Sequence, residues 1–175
     1  MFYFIRHGKT DYSRQNTKFY TGFGIHLSPL SQTGICQIQE AARDPRLEGT
    51  SLILCSPYTR ALQTAAILSK ALGADIAVET DLHEWLANKD YLYEEDETAE
   101  KYYQEYTMNQ GRYPDGTERP WETSEMIRTR VLAVLEKYRH YPKVIIAGHG
   151  MMIQAVTGSP HPHNGEIIPF ALEQE

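Results

Sequence analysis

Two histidines and two arginines stand where the chain leaves a predicted strand or enters the helix after one. Arg6 and His7 follow an apolar run near the N-terminus, and His149 stands between two glycines after another apolar run. Arg60 falls in the first turn of a helix predicted after a third such run. Open α/β sheets bind ligands at the carboxyl ends of their strands, so these four side chains would converge on one rim. Two imidazoles and two guanidinium groups in one place would form a site for a phosphate ester.

The elements that must position these side chains alternate between strand and helix patterns. Such alternation predicts an α/β fold, a three-layer α/β/α sandwich with a mainly parallel sheet. A last strand contains Pro169, which cannot donate to a central ladder and therefore indicates a sheet edge. Strands are predicted at 2–5, 51–55, 75–78, 143–147 and 166–172. Helices are predicted at 32–43, from 57 to the end at Gly73, from 123 or 124 to 138, and from 151 to the end at Gly158.

The start of the second predicted helix carries the strongest local signal. Ser56 is suited to the N-cap, and Pro57 to the first helical position. Gly73 is suited to the left-handed residue that follows a helix.

The segment 85–122 differs from the rest of a chain that we read as a single domain spanning 1–175. It contains six of the twelve tyrosines, the acidic stretch 94–97 and the turn sequence Pro114-Asp115-Gly116. Two readings stay open, a solvated helical insertion packed over some of its tyrosines and an insertion that covers the substrate. Its aromatic rings, with Trp121, could stack on a sugar or a ring, and Arg119 or Arg112 could meet a second anionic group.

Composition narrows the function classes. The chain has 175 residues, 41% hydrophobic and 23% charged, as expected of a globular protein with one core. A net charge of −6 argues against a nucleic-acid partner, and no apolar stretch is long enough for a membrane span. The N-terminus lacks a signal-peptide pattern, and Cys36 and Cys55 are predicted to be buried free thiols, so we expect a cytoplasmic protein. The oligomeric state is not predicted.

Several separated blocks resemble the histidine phosphatase superfamily, also called the phosphoglycerate mutase-like family. They occur in family order over most of the chain, and together they are far more specific than any one of them. The blocks are Phe4-Ile5-Arg6-His7-Gly8-Lys9-Thr10, the helix start 30–37, the run 56–65, Leu82-His83-Glu84, Trp121-Glu122-Thr123 with Arg130, and Gly148-His149-Gly150.

The resemblance implies a role for each candidate. His7 would be the nucleophile that forms a phosphohistidine, while Arg6, Arg60 and His149 bind the transferring phosphoryl group. Glu84 would donate a proton to the leaving oxygen. These residue types suit the chemistry, because neutral imidazole is nucleophilic near pH 7 and cationic donors stabilise the charge on the equatorial oxygens.

Further substrate contacts follow from the same resemblance. It suggests Asn16, Thr21 and Gly22 in the loop after the first block, and Gly150 beside the second histidine. A plain loop is an equally good reading of the first three. No cofactor is implied, and the reaction needs no metal.

Some alternatives remain open from the residues alone. Glu79 or Asp81 could take the role given to Glu84. The tail 161–166 carries two histidines, but it lacks further ligands at zinc-like spacing and reads as a loop.

The resulting expectation is a phosphatase acting on a small-molecule phosphate monoester. A phosphoglycerate mutase is the alternative, although the mutases of this family usually have a longer chain and a larger capping insertion. A non-catalytic phosphate-binding protein is the third possibility, but such proteins usually lack a histidine or an arginine that is present here.

Overall fold

The computed structural model describes residues 1–15, 17 and 20–172. Its centre is a five-stranded sheet in the order β3-β2-β4-β1-β5. The strands are β1 (Phe2–Arg6), β2 (Leu52–Cys55), β3 (Asp75–Val78), β4 (Val144–Gly148) and β5 (Ile167–Phe170). All neighbours are parallel except β5, which runs antiparallel to β1 at the edge. Pro169 lies in β5 opposite Tyr3, which confirms the predicted edge strand.

Helices cover both faces of this sheet and complete the predicted three layers. One face packs on α1 (Gln32–Ala41) and α2 (Thr59–Leu72), and the other on α4 (Ser124–Lys137) and α5 (Gly150–Thr157). A further α-helix, α3 (Asp96–Met108), belongs to the segment between β3 and α4. Alternate residues of β1 explain the layering, since Phe4 faces the α4 and α5 side while Ile5 faces α1 and α2.

The predicted start of the second helix is wrong by two residues. The N-cap is Tyr58, and the first helical residue is Thr59. The physical reason is that Ser56 continues the sheet, because its backbone N–H donates to the Ala147 carbonyl at 3.2 Å. Gly73 ends the helix in the left-handed conformation, as predicted.

The prediction of two buried thiols holds for Cys55 but is wrong for Cys36. Both cysteines are free, and Cys36 is exposed. Its helix buries the face that carries Gly34 and Ile38, and Cys36 lies on the opposite side. Within the described residues, no helix is long and apolar enough to cross a membrane.

Candidate active site

The sheet places the two histidines side by side. Strands β1 and β4 are parallel neighbours, with Arg6 in register with Gly148. The next residues in each strand are therefore His7 and His149, and their ring centroids lie 5.3 Å apart. The His7 backbone N–H also donates to the Gly148 carbonyl at 2.9 Å. Convergence of the two histidines, predicted from strand ends, is a direct result of this pairing.

The protonation of His7 suits a nucleophile. Its Nδ1 lies 2.8 Å from the Gly8 carbonyl oxygen, which can only accept, so Nδ1 carries the hydrogen and Nε2 keeps its lone pair. Burial is the main cause that lowers the pKa of His7 to about 3, and the positive charges of Arg60 and Arg6 lower it further. The hydrogen bond to Gly8 acts in the opposite direction, but its effect is smaller than that of burial. The imidazole is therefore neutral at pH 7, with Nε2 free to attack.

His149 is fully buried and held by a hydroxyl group. Its Nε2 lies 2.7 Å from Ser56 Oγ. Burial first, and then the charge of Arg60, hold the pKa of His149 well below its ordinary value. Ser56 thus orients the second histidine, a role that its position in the sequence did not indicate.

The two arginines reach the same region from different elements. Arg6 ends β1, and its Nη1 donates to the Pro162 carbonyl at 2.7 Å. Arg60 is the second residue of α2 and is buried, with its Cζ 5.0 Å from the centre of the Tyr58 ring. A helix N-terminus adds a favourable dipole for an anion next to Arg60.

Unpaired buried nitrogens concentrate at this site. Within the part of the chain that the structure describes, four buried side-chain polar atoms lack a hydrogen-bond partner: Arg6 Nε, Arg60 Nε, His149 Nδ1 and His26 Nδ1. Leaving such a group unpaired costs about 1–3 kcal/mol, so a hydrogen-bond partner at any of these nitrogens would be stabilising. Three of the four belong to the predicted phosphoryl-binding set, and an anion with several oxygens would satisfy them.

The carboxylate of Glu84 bonds to the first turn of α5, the helix that begins directly after His149. Its Oε1 accepts from the backbone N–H groups of Trp85 at 2.9 Å and Met152 at 3.1 Å, and its Oε2 accepts from Met151 at 3.3 Å. These three donors fix the orientation of the carboxylate beside the second histidine.

The competing carboxylates lie elsewhere. Glu79 accepts from the Tyr138 hydroxyl at 2.7 Å and from Lys137 Nζ at 3.1 Å, and Asp81 is exposed. Neither bonds to the start of α5, so the geometry favours Glu84 for the predicted role.

The other predicted substrate residues lie in different parts of the structure, and no contact in it assigns them a role. Thr21 is exposed and precedes a 3-10 helix, Gly22–Leu27, while Gly150 is buried as the first residue of α5. Asn16 lies outside the described residues. Contact of these residues with a substrate stays a prediction.

Segment 85–122 forms its own aromatic cluster. Trp121 and Tyr106 are buried there and pack with Met151 of α5. Trp121 is fully buried and donates to Glu105, which also pairs with Arg119 at 3.1 Å. The idea that Trp121 stacks on a substrate is therefore wrong, and Arg119 already has a counter-ion.

Two contacts of the C-terminal tail had no sequence signal. Asn164 Nδ2 donates to the His7 carbonyl at 2.8 Å, and the Pro162 carbonyl holds Arg6. Among the described residues, no group of three or more His, Cys, Asp or Glu side chains is placed to hold a metal ion.

Comparison with known proteins identifies the family. The family model described as "Histidine phosphatase superfamily (branch 1)" matches residues 2–161. The chain belongs to the histidine phosphatase superfamily. It is 28% identical to a probable phosphoglycerate mutase, GpmB, of Escherichia coli O1:K1, in a match that covers 90% of this chain and 75% of the relative.

Solved structures of other proteins share the fold. A mycobacterial glucosyl-3-phosphoglycerate phosphatase is 24% identical with a TM-score of 0.63, covering 90% of this chain and 77% of the other. YhfR of Bacillus stearothermophilus is 19% identical with a TM-score of 0.69, covering 95% and 88% respectively. The resemblance and the fold class predicted from sequence are both confirmed.

Proposed function

We propose that this protein hydrolyses small-molecule phosphate monoesters through a phosphohistidine intermediate on His7. The observation that carries the proposal is the neutral His7, with Nε2 free, beside the unpaired nitrogens of Arg6, Arg60 and His149. Phosphoryl transfer needs little from a protein beyond positioning and charge stabilisation, and this arrangement offers both.

The first step forms the intermediate. His7 Nε2 attacks the phosphorus atom, and the bond from phosphorus to the ester oxygen breaks. Glu84 gives its proton to that oxygen, which leaves as an alcohol. Arg6, Arg60 and His149 donate to the equatorial oxygens, where charge is spread in the transition state.

The second step regenerates the enzyme. A water oxygen attacks the phosphorus atom while Glu84 takes a proton from that water, and the bond between phosphorus and Nε2 breaks. The products are inorganic phosphate and free His7. The same carboxyl group thus acts as acid and then as base, as microscopic reversibility requires.

A phosphoglycerate mutase is the second candidate, because sequence relatives are named as probable phosphoglycerate mutases. The two candidates differ in what receives the phosphoryl group, water or a second alcohol. The structural neighbour named as a glucosyl-3-phosphoglycerate phosphatase supports water as the acceptor.

The test is phosphate release from a panel of phosphomonoesters in the presence of a chelator. We expect turnover by the wild type and none by His7→Ala. His140→Ala, at an exposed histidine, is the matched control and should behave as the wild type. Interconversion of 3- and 2-phosphoglycerate without phosphate release would favour the mutase. Activity that survives in His7→Ala would overturn the proposal.

A further inference from the structure

A mostly apolar cavity of about 340 Å³ lies next to the candidate active site. Aromatic and aliphatic side chains form most of its wall, which includes Phe23, His26, Tyr58, His83, Leu86 and Tyr91. Phe23 and Tyr91 are each at least half exposed, so solvent reaches the cavity past these two rings. A volume of this size accommodates a small organic group.

Tyr58 joins the cavity to the phosphoryl-binding residues. The centroid of the Tyr58 ring lies 5.2 Å from the centroid of the His149 ring. Arg60 Cζ lies 5.0 Å from the Tyr58 centroid. His26 stacks on this ring at 3.9 Å with an interplanar angle of 12°. One aromatic ring therefore contacts the phosphoryl-binding side chains and also lines the cavity. A group esterified to a bound phosphate would reach the cavity along it.

The wall carries no charge near neutral pH. Burial lowers the pKa of His26 to about 4, assisted by the charge of Arg60, and burial also lowers the pKa of His83. The His83 ring is already engaged, with Nδ1 2.7 Å from the Glu84 carbonyl and Nε2 3.1 Å from the Tyr91 hydroxyl. A second anionic group on a substrate would find no cation among these lining residues.

We propose that this cavity holds the alcohol part of the substrate, and that this part is a flat, mostly apolar ring. The proposal rests on the proposed phosphatase function and narrows its substrate class. Stacked aromatic walls favour a planar group, since offset and edge-to-face ring contacts add to the free energy of apolar burial. Esters whose alcohol carries a carboxylate, such as phosphoglycerates, would be poor substrates because that charge would lose water without gaining a partner.

The test compares esters with similar leaving groups. Benzyl phosphate and 2-naphthylmethyl phosphate both release a primary alkoxide, as glycerol 3-phosphate does, so ring burial is the main variable. We expect kcat/KM for 2-naphthylmethyl phosphate to exceed that for glycerol 3-phosphate and 3-phosphoglycerate by about tenfold or more. Equal or better turnover of 3-phosphoglycerate would overturn this inference alone. No turnover of any ester would instead overturn the proposed function.

Variants at the cavity mouth give the second readout. Tyr91→Ala should lower the preference for 2-naphthylmethyl over glycerol ester about tenfold, mainly through KM, whereas Tyr91→Phe should keep most of it. Tyr103→Ala removes a comparably exposed tyrosine outside this cavity and should leave the preference unchanged. A preference that stays at the wild-type ratio in Tyr91→Ala would contradict the assignment of the cavity.

Discussion

The local environment of each histidine decides what it can do. His7 donates from Nδ1 to a carbonyl oxygen, and this bond leaves Nε2 as the nucleophilic atom. His149 instead engages Nε2 with Ser56 and leaves Nδ1 without a partner. A bound phosphoryl group would place negative charge beside both rings and beside Arg60. That charge favours protonation of His149, which would then donate to the anion from Nδ1.

Ser56 is the residue whose role is most easily tested. Ser56→Ala removes the hydroxyl group that holds His149, so we expect kcat to fall about tenfold with little change in KM. Ser56→Thr keeps a hydroxyl and should recover most of the loss. Steady-state kinetics on one ester measures both variants. Equal kcat in the wild type and Ser56→Ala would show that the hydrogen bond does not position His149.

The placement of candidate site residues could be predicted where a motif lies at a strand end, and not where a contact is made across the fold. His7, Arg60 and His149 follow predicted strands, and the parallel ladder brings them together. The bonds from Asn164 to His7 and from Arg6 to the Pro162 carbonyl join positions more than 150 residues apart. No local pattern encodes such contacts, so only the folded chain reveals them.

The turn after β1 depends on close packing against α1. A Cβ atom on Gly8 would lie 2.3 Å from the Gly34 carbonyl oxygen, a rigid backbone atom. Glycine at position 8 lets the turn that carries His7 approach the start of α1, where Ser31 is the N-cap.

Gly8→Ala should therefore destabilise the protein as well as displace His7. We expect a loss of about 2–4 kcal/mol in the free energy of unfolding, because backbone must move to admit the methyl group. Denaturant unfolding is the measurement. Gly158→Asn is the control, since no atom lies within 4 Å of a Cβ at that position and asparagine tolerates its left-handed backbone better than other side chains. An unchanged unfolding midpoint for Gly8→Ala would contradict this packing.

Both ends of segment 85–122 are tied to α4 by one buried ion pair. Arg130 Nε donates to Glu122 Oε1 at 2.6 Å, and both side chains are largely shielded from solvent. Glu122 Oε2 accepts from the Leu86 N–H at 3.3 Å, while Arg130 donates to the Asp81 carbonyl. The ion pair thus connects α4 to residues on both sides of Glu84 in the sequence.

Arg130→Met removes the cation and leaves Glu122 buried without its partner. Breaking a buried pair in this way costs about 3–5 kcal/mol, so we expect a clear drop in thermal stability. Arg43→Met, which removes an exposed i,i+3 pair, is the matched control and should change the stability by less than about 0.5 kcal/mol. Similar melting temperatures for the two variants would contradict a fastening role.

The parallel strands could be predicted from their apolar runs, whereas the start of α2 could not be predicted from its residue types. The apolar runs of the parallel strands fell within a residue or two of their observed bounds. Ser56 and Pro57 have the residue types of a helix start, but the sheet ladder competes for the Ser56 backbone and keeps both outside the helix. Tertiary hydrogen bonding overrode the local preference there.

The molecule as a whole buries neutral histidines at one end of its sheet. Burial is the main cause of the lowered pKa of His7, His83 and His149, and also of His26 beside them. The unfolded chain therefore binds more protons than the folded protein below about pH 6.5. Stability is complete above that pH and is lost as pH falls toward the folded values, about 3 for His7 and about 4 for His26.

We expect the melting temperature to fall as the pH is lowered from 7 to 4.5 in phosphate-free buffer. Each such histidine contributes up to about 1.4 kcal/mol per pH unit in this range. His7→Gln removes one of these titrating groups, so the melting temperature should depend less steeply on pH in this variant. His140→Gln, at an exposed histidine, should leave the slope unchanged. Identical slopes for the wild type and His7→Gln would contradict a buried, neutral His7.

The most direct test of the account is to trap the phosphoryl group on the protein. An aryl phosphate is suitable, because its phenolate leaves with little need of a proton, so Glu84→Gln would slow mainly the hydrolysis of the intermediate. After a rapid denaturing quench, intact mass and peptide mapping should find one phosphoryl group on His7, more abundant in Glu84→Gln and missing in His7→Ala. A phosphoryl group on another residue, or turnover by His7→Ala, would contradict the phosphohistidine mechanism.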